Sequence, residues 1–223
     1  VLSRARWLDQ HRGYGTAKDI PSLTTALHAA NGVAVKAALP VRNLGELVAY
    51  AKAQPGKLNY ASTSNGGWNH LATEKLLVGL GIHATHIPYK GESPALIDLA
   101  AGVIQFMMIS GSAKPFVDDG RVVAISSTGN KPAAVAPKAP LMRDSGIPGV
   151  ASYNEMPWAG FGMAADAPPA VATKLHEEWV KSHEADEVRN SVAILGGIAT
   201  CTQAWCPGIN RQLIPNSAFI SSP

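Results

Sequence analysis

From Gly32 to Ser127 short apolar runs alternate with amphipathic stretches. Gly32-Val33-Ala34-Val35 reads as a buried strand. Asn43-Leu44-Gly45-Glu46 reads as a capping box, in which an amide oxygen caps a helix and a carboxylate three residues on reaches back to a free backbone N–H. Leu44, Leu47, Val48 and Ala51 then fall on one helical face, and Pro55-Gly56 stops that helix. A strand is predicted over 58–62, a helix over 68–80 ended by Gly79 and Gly81, and a strand over 85–88. Ser93-Pro94 predicts the next helix start, with Ser as cap and Pro at the first helical position; Gly102 ends that helix. Residues 103–109 form an apolar run interrupted by Gln105, read as a strand covered on both faces. A short helix ending at Gly120 and a strand over 122–126 follow.

Strands alternating with helices predict an α/β layer structure with a mostly parallel sheet. Residues 128–140, rich in Pro, Ala and Lys, are expected to be a surface connection. A strand is expected over 158–164. Pro168-Pro169 opens an amphipathic helix with Val171, Leu175 and Trp179 on one stripe, and a last helical stretch covers 184–195. The first 18 residues and 201–223 carry no clear period, and no internal repeat is visible.

Composition narrows the class. A chain of 223 residues, 46% hydrophobic and 16% charged, is long enough to bury a core and too apolar to be disordered. Its net charge of +3 comes from scattered basic residues without a stripe or recognition motif, which excludes a dedicated nucleic-acid binder. No apolar run reaches the ~18 residues of a membrane span, and Val1 to Trp7 does not read as a signal peptide. Cys201 and Cys206 are too few for a disulfide scaffold; two free thiols are expected, with one bridge as the alternative.

Little in the chain points to catalysis. Gly79-Leu80-Gly81-Ile82-His83-Ala84 has the letters of a dinucleotide fingerprint, but a helix precedes it and a strand follows, the reverse of what phosphate binding needs. It reads as a helix end. His83 with His86, and His70 with Glu74, lack a third ligand, so no metal is expected. There is no nucleophile elbow, since Ile109-Ser110-Gly111-Ser112 lacks the first glycine, and no phosphate loop. No cofactor is expected either.

Two polar turns are more informative. Ser62-Thr63-Ser64-Asn65-Gly66-Gly67 leaves a strand and feeds a helix, where free backbone N–H groups and hydroxyls make an anion site. An ordinary capped turn is the alternative. Tyr89-Lys90-Gly91-Glu92-Ser93-Pro94 repeats the arrangement. Two such loops from one sheet would converge on a small carboxylate or phosphate with no group to transform it, which points to binding rather than turnover.

At these loops the chain resembles a known family. Residues 39–76 (containing NYASTSNGGWNHLATEKL), 86–108 (HIPYKGESPALIDLAAGVIQFMM), 120–150 and 158–179 are together similar to the tripartite tricarboxylate transporter receptors, the Bug or TctC-type extracytoplasmic solute-binding proteins. The resemblance runs from about Asp19 to Thr200. It implies a type II periplasmic-binding-protein-like α/β fold of two lobes. It also implies capture of a small organic acid (a di- or tricarboxylate, an acidic amino acid or an aromatic carboxylate), without catalysis, and delivery to a membrane permease. A periplasmic location and a monomer go with it. By the match, Ser62, Thr63, Asn65, Gly66, Gly67 and Tyr89 are the ligand-binding candidates, and His70 is given a structural role.

The family's N-terminal portion, with its signal peptide, first strand and Pro-Gly-Gly loop, has no counterpart here. Gly67 stands where many members carry Ser or Thr. The expectation is therefore a near-complete lobe over 38–155 and a partial lobe from 1–37 plus 156–223, with unmatched termini. A truncated, non-functional family fragment is the first alternative and a small α/β enzyme such as a hydrolase the second.

Overall fold

The computed structural model describes residues 19–194 and 197–199. The expectations for the first 18 residues, for Cys201 and Cys206 and for the C-terminal tail lie outside them. The described residues divide into two compact units, one built on His28–Pro157 with Ser191–Ile198, the other on 19–27, 158–190 and Ala199.

The larger unit holds a five-stranded sheet. Its strands are β2 (Gly32–Lys36), β3 (Asn59–Ser62), β4 (Thr85–Pro88), β5 (Phe106–Ile109) and β6 (Val122–Ser127), where β1 is kept for Ser22–Ala29. The spatial order is β4-β3-β5-β2-β6. β3 runs parallel to β4 and β5, whereas β2 runs antiparallel to both β5 and β6. Four of the five strands thus run the same way, and β2 makes the sheet mixed. Strands joined by crossover helices must point one way, and β3 to β6 do. β2 is the exception, because it is inserted between β5 and β6, away from the strand that follows it in sequence.

Helices cover both faces. On one, Leu44 and Leu47 of α1 (Leu44–Ala53) and Leu76 and Leu77 of α2 (Trp68–Leu80) pack with Val33, Tyr60, Phe106 and Met108. On the other, Leu96 and Leu99 of α3 (Glu92–Ala101) pack with Ala34, Ala61, Met107 and Ile109. The side chains of β5 therefore alternate between two cores, which is why its sequence is continuously apolar. Only Phe106–Ile109 of the apolar run is strand, and Val103 is exposed. Residues expected to form a surface connection instead bury Ala133, Val135, Ala136 and Ala139 beside α3. Their side chains are small, so the segment lies flat on the sheet without a helix. A five-residue helix, α4 (Lys114–Asp118), joins β5 to β6.

The helix ends show why these segments fold as they do. Asn43 Oδ1 accepts the Glu46 N–H at 2.9 Å, as the capping box requires. The Glu46 carboxylate does not return to the Asn43 N–H. It accepts from the Arg42 N–H at 2.6 Å and from Asn43 Nδ2 at 2.7 Å. α2 ends at Gly81, whose φ of 63° closes the helix in the left-handed conformation. α3 starts at Glu92, after Gly91 with φ 119°, so Ser93 and Pro94 sit inside its first turn rather than at its cap. The turn uses a backbone angle that only glycine adopts freely, and that overrides the Ser-Pro signal.

A second sheet holds β7 (Trp158–Gly162), β1 and β8 (Gly197–Ala199) in the order β7-β1-β8. Two helices follow β7, α5 (Pro169–Glu184) and α6 (Asp186–Ile194). Trp179 packs against Phe161 with ring centroids 4.2 Å apart, and His183 Nε2 lies 3.0 Å from the Ala26 carbonyl. Val171 and Leu175, expected on the buried stripe with Trp179, are about half exposed at 46% and 49%.

Candidate functional site

Both polar turns emerge at the same edge of the five-stranded sheet. β3 and β4 are parallel neighbours in the register Ser62↔Pro88, so their C-terminal ends coincide. The Tyr89 N–H donates to the Ser62 carbonyl at 2.8 Å and ties the two turns together at their roots. β5, on the other side of β3, ends at this edge too, and its following turn begins at Ser110. Ligands of open α/β sheets bind beyond such strand ends.

The first turn is held by a network of rings and hydroxyls. Ser62 is fully buried; its Oγ donates to the Ser64 carbonyl at 2.9 Å and lies 2.6 Å from His86 Nε2. The Gly66 N–H donates to His70 Nδ1 at 2.9 Å. His70, in the first turn of α2, stacks on His86 of β4 with ring centroids 3.8 Å apart and planes 10° from parallel. Beneath them Tyr60 stacks on His86 at 5.0 Å and donates its hydroxyl to Glu74. Burial, then the neighbouring His70, push the His86 pKa below its ordinary value, against a smaller pull from Glu74. Burial and the bond to Glu74 push the Tyr60 phenol up.

The second turn is fixed differently. The Tyr89 hydroxyl donates to Asp98 Oδ2 at 2.7 Å, and burial first, then this bond, push the phenol up to about 12. Glu92 reaches across to the turn after β5, where its Oε1 accepts the Ser110 N–H at 2.7 Å and its Oε2 accepts the hydroxyls of Ser110 and Ser112. Three turns are therefore linked at one edge, by Tyr89 on one side and Glu92 on the other.

The six candidates separate by what their atoms are already doing. The polar side chains of Ser62 and Tyr89 are engaged within the protein. Among the described residues, those of Thr63 and Asn65 make no hydrogen bond; Thr63 is half-buried and Asn65 exposed. Gly67 is the N-cap of α2 and supplies no side-chain cap, so the first-turn N–H groups of the helix stay open. Gly66, with φ 69°, makes the turn that brings the backbone there. Sequence reading places Glu92 in the second turn but not its reach to the third, and it missed Ser110, Ser112 and His86 as parts of this edge. It also missed Asn31, 3% exposed just before β2, whose Oδ1 has no hydrogen-bond partner among the described residues.

Ser62 and His86 stand at the distance of a nucleophile and its base, but the proton count argues against that role. A serine hydroxyl carries one hydrogen, and that of Ser62 goes to the Ser64 carbonyl. His86 Nε2 must therefore donate to Ser62 Oγ and is not free to take a proton from it. Among the described residues, no group of three or more His, Cys, Asp or Glu side chains could hold a metal ion.

A mixed α/β sheet whose strand ends carry adjoining, uncapped polar turns has the layout of a small-ligand site, and solved structures give the class of fold. The fold is that of the periplasmic solute-binding proteins. A Rhodopseudomonas palustris protein solved with adipate is 26% identical with a TM-score of 0.75, over 84% of this chain and 62% of that one. MatC from the same organism, solved with bound malate, has a TM-score of 0.80 at 22% identity, over 92% of this chain and 69% of MatC. The chain belongs to the tripartite tricarboxylate transporter family receptors (TctC), whose family model matches residues 4–199. A curated relative, the UPF0065 protein in the gbd 5' region of Cupriavidus necator, is 32% identical over 73% of this chain and 48% of its own length. The Bordetella pertussis protein BugT is 26% identical over 71% of this chain. The chain spans about half the length of the curated relatives it matches. The family is one of periplasmic solute-binding receptors.

Proposed function

We propose that this chain is the ligand-binding part of a periplasmic receptor for a small organic acid, with a linear dicarboxylate as the preferred class, that passes its ligand to a membrane permease and does not transform it. The single observation behind this reading is the pair of turns, 62–67 and 89–91, side by side beyond β3 and β4. One ligand carboxylate meets the open N–H groups at the start of α2 and the side chains of Thr63 and Asn65. Gly66 makes the turn, and Gly67, where a Cβ would sit 2.1 Å from Ser64 Oγ, leaves room for the Ser64 side chain. Ser62 and Tyr89 hold the two turns in place. The dicarboxylate class is favoured by the adipate in the R. palustris structure, the relative solved with a ligand at 26% identity. The lobe that carries the site, expected over 38–155, is taken to include β2 (Gly32–Lys36) as well, because that strand lies inside its sheet between β5 and β6.

Thermal shift with a panel of dicarboxylates, tricarboxylates, acidic amino acids and aromatic carboxylates tests the reading. Ligand at about 100 times its dissociation constant adds about 2.7 kcal/mol of stability. The expected result is a shift with at least one dicarboxylate that the double variant Thr63→Ala/Asn65→Ala weakens by about tenfold in affinity, as for loss of one charge-assisted hydrogen bond or two weak ones. The variant's own melting temperature should be unchanged. No shift with any member of the panel rejects the proposal.

A further inference from the structure

The paired imidazoles behind the first turn do more than fill space. The Gly66 N–H needs an acceptor, so His70 Nδ1 carries no proton and the neutral ring is protonated at Nε2. That edge of the ring lies 4.0 Å from Glu74 Oε1. His86 donates from Nε2 to Ser62, which in turn donates to the Ser64 carbonyl. Each ring thus grips a different end of the 62–67 turn, one through Ser62 and the other through Gly66. The 3.8 Å stack couples them, because two charged imidazoles face to face repel.

We propose that His70 and His86 are positioning residues for the anion-binding turn, which is set only while His70 is neutral, so that protonation of His70 releases Gly66 and weakens ligand binding. This rests on the function proposed above. The groups facing the pair are Glu74 of α2 and Tyr60 and Ser62 of β3. Glu74 is the carboxylate among them, and it draws a proton toward the Nε2 side of His70. The second proton must then enter at Nδ1, where the Gly66 N–H already points. Burial lowers the pKa of His86, which disfavours charge on that ring. The sign is the discriminating feature. A histidine acting as an anion-binding cation would strengthen carboxylate binding in acid, whereas a histidine that positions the turn as an acceptor weakens it.

Two arms test this on the full chain. The first needs no ligand: imidazole nitrogen shifts and the Gly66 amide resonance are followed by NMR between about pH 7.5 and about pH 5.5, the range in which histidine titrates. The expected result is an Nε2–H tautomer for His70 at the upper pH and a Gly66 amide that moves with the His70 titration. An Nδ1–H tautomer, or a Gly66 amide indifferent to His70, overturns the proposal whether or not any ligand binds. The second arm compares adipate affinity in the parent and in His70→Asn, which keeps an acceptor near the Nδ1 position and cannot be protonated. Ligand ionisation is common to both proteins and cancels in the ratio. The parent is expected to lose about five- to tenfold more affinity than His70→Asn on acidification, the worth of about one hydrogen bond. Parallel profiles, or a parent that binds tighter in acid, overturn it. Absence of adipate binding at both pH values, with the first arm as expected, rejects the ligand class and leaves the positioning role standing.

Discussion

Replacing Gly79 by alanine sets two physical effects against each other. Gly79 lies in the last turn of α2, and glycine inside a helix costs about 1 kcal/mol relative to alanine. Propensity alone therefore makes Gly79→Ala stabilising. Packing gives the opposite sign. A Cβ at Gly79 would sit 2.5 Å from the Gly149 carbonyl oxygen and 3.0 Å from Val150 Cγ1. Reciprocally, a Cβ at Gly149 would sit 1.9 Å from the Gly79 oxygen, so the two main chains touch. Relaxation is difficult because both walls are backbone. Behind the Pro148–Val150 turn, Val150 is fully buried and Tyr153 donates its hydroxyl to the Ala72 carbonyl at 2.8 Å.

Overpacking of this kind costs about 1–3 kcal/mol, and a backbone wall belongs at the upper end. Subtracting the propensity gain leaves about 1–2 kcal/mol of net destabilisation. For a protein of this size that is a fall of about 2–8 °C in Tm. Urea unfolding followed by tryptophan fluorescence should show a lower midpoint at unchanged slope. Gly81→Ala provides the contrast: nothing lies within 4 Å of its Cβ, but its φ is 63°. It should lose about 1–2 kcal/mol through backbone strain alone. A Gly79→Ala protein as stable as its parent, or more so, would refute the close approach of α2 to the 148–150 turn.

Glu92→Gln tests the tie between the second and third turns. The amide replaces an oxygen with a donor facing the Ser110 and Ser112 hydroxyls, and loss of a charge-assisted acceptor should cost about 1.5–3 kcal/mol by chemical denaturation; an unchanged midpoint would count against the tie. Tyr89 gives a pH test. Its phenol is raised from 10.0 to about 12, so the folded protein keeps a proton that the unfolded chain releases, and stability should fall as pH rises through that interval. Tyr89→Phe should flatten this alkaline loss, with Tyr60 supplying what remains; an equally steep loss in the variant would show that Tyr89 ionises as it does in water.

The parts of this structure legible in the sequence are those fixed by local geometry. The helix over Trp68–Leu80 and the strand over Thr85–Pro88 fall where period and glycine placement put them, and Gly81 and Gly102 close their helices in the left-handed conformation. What stayed hidden depends on partners far along the chain. Alternation shows that β2 is a strand but not that it enters between β5 and β6 in the opposite sense. Small side chains made 128–140 read as solvated, although Ala133, Ala136 and Ala139 are small because they lie against the sheet. Gly79 read as a stop signal, and its reason is Gly149. In the site, spacing pairs His83 with His86 and His70 with Glu74, whereas the tertiary partner of His86 is His70. Around Ser110 the sequence shows an incomplete nucleophile elbow, whereas in the fold its N–H and hydroxyl donate to Glu92.

The distribution of satisfied and open groups at the strand edge bears on what kind of anion it can select. The 62–67 turn contains no charged residue. Its one fully buried hydroxyl and its two neighbouring imidazoles are spent on the turn itself, while among the described residues no side-chain cap engages the start of α2 and the side chains of Thr63 and Asn65 make no hydrogen bond. Neutral donors of fixed direction cost little to desolvate compared with a lysine or arginine, but each adds only about 1 kcal/mol. Selection must then come from placing several donors at once around one carboxylate. That makes the rigidity of the turn, and hence the Ser62, Gly66 and Tyr89 bonds that hold it, the quantity on which affinity depends.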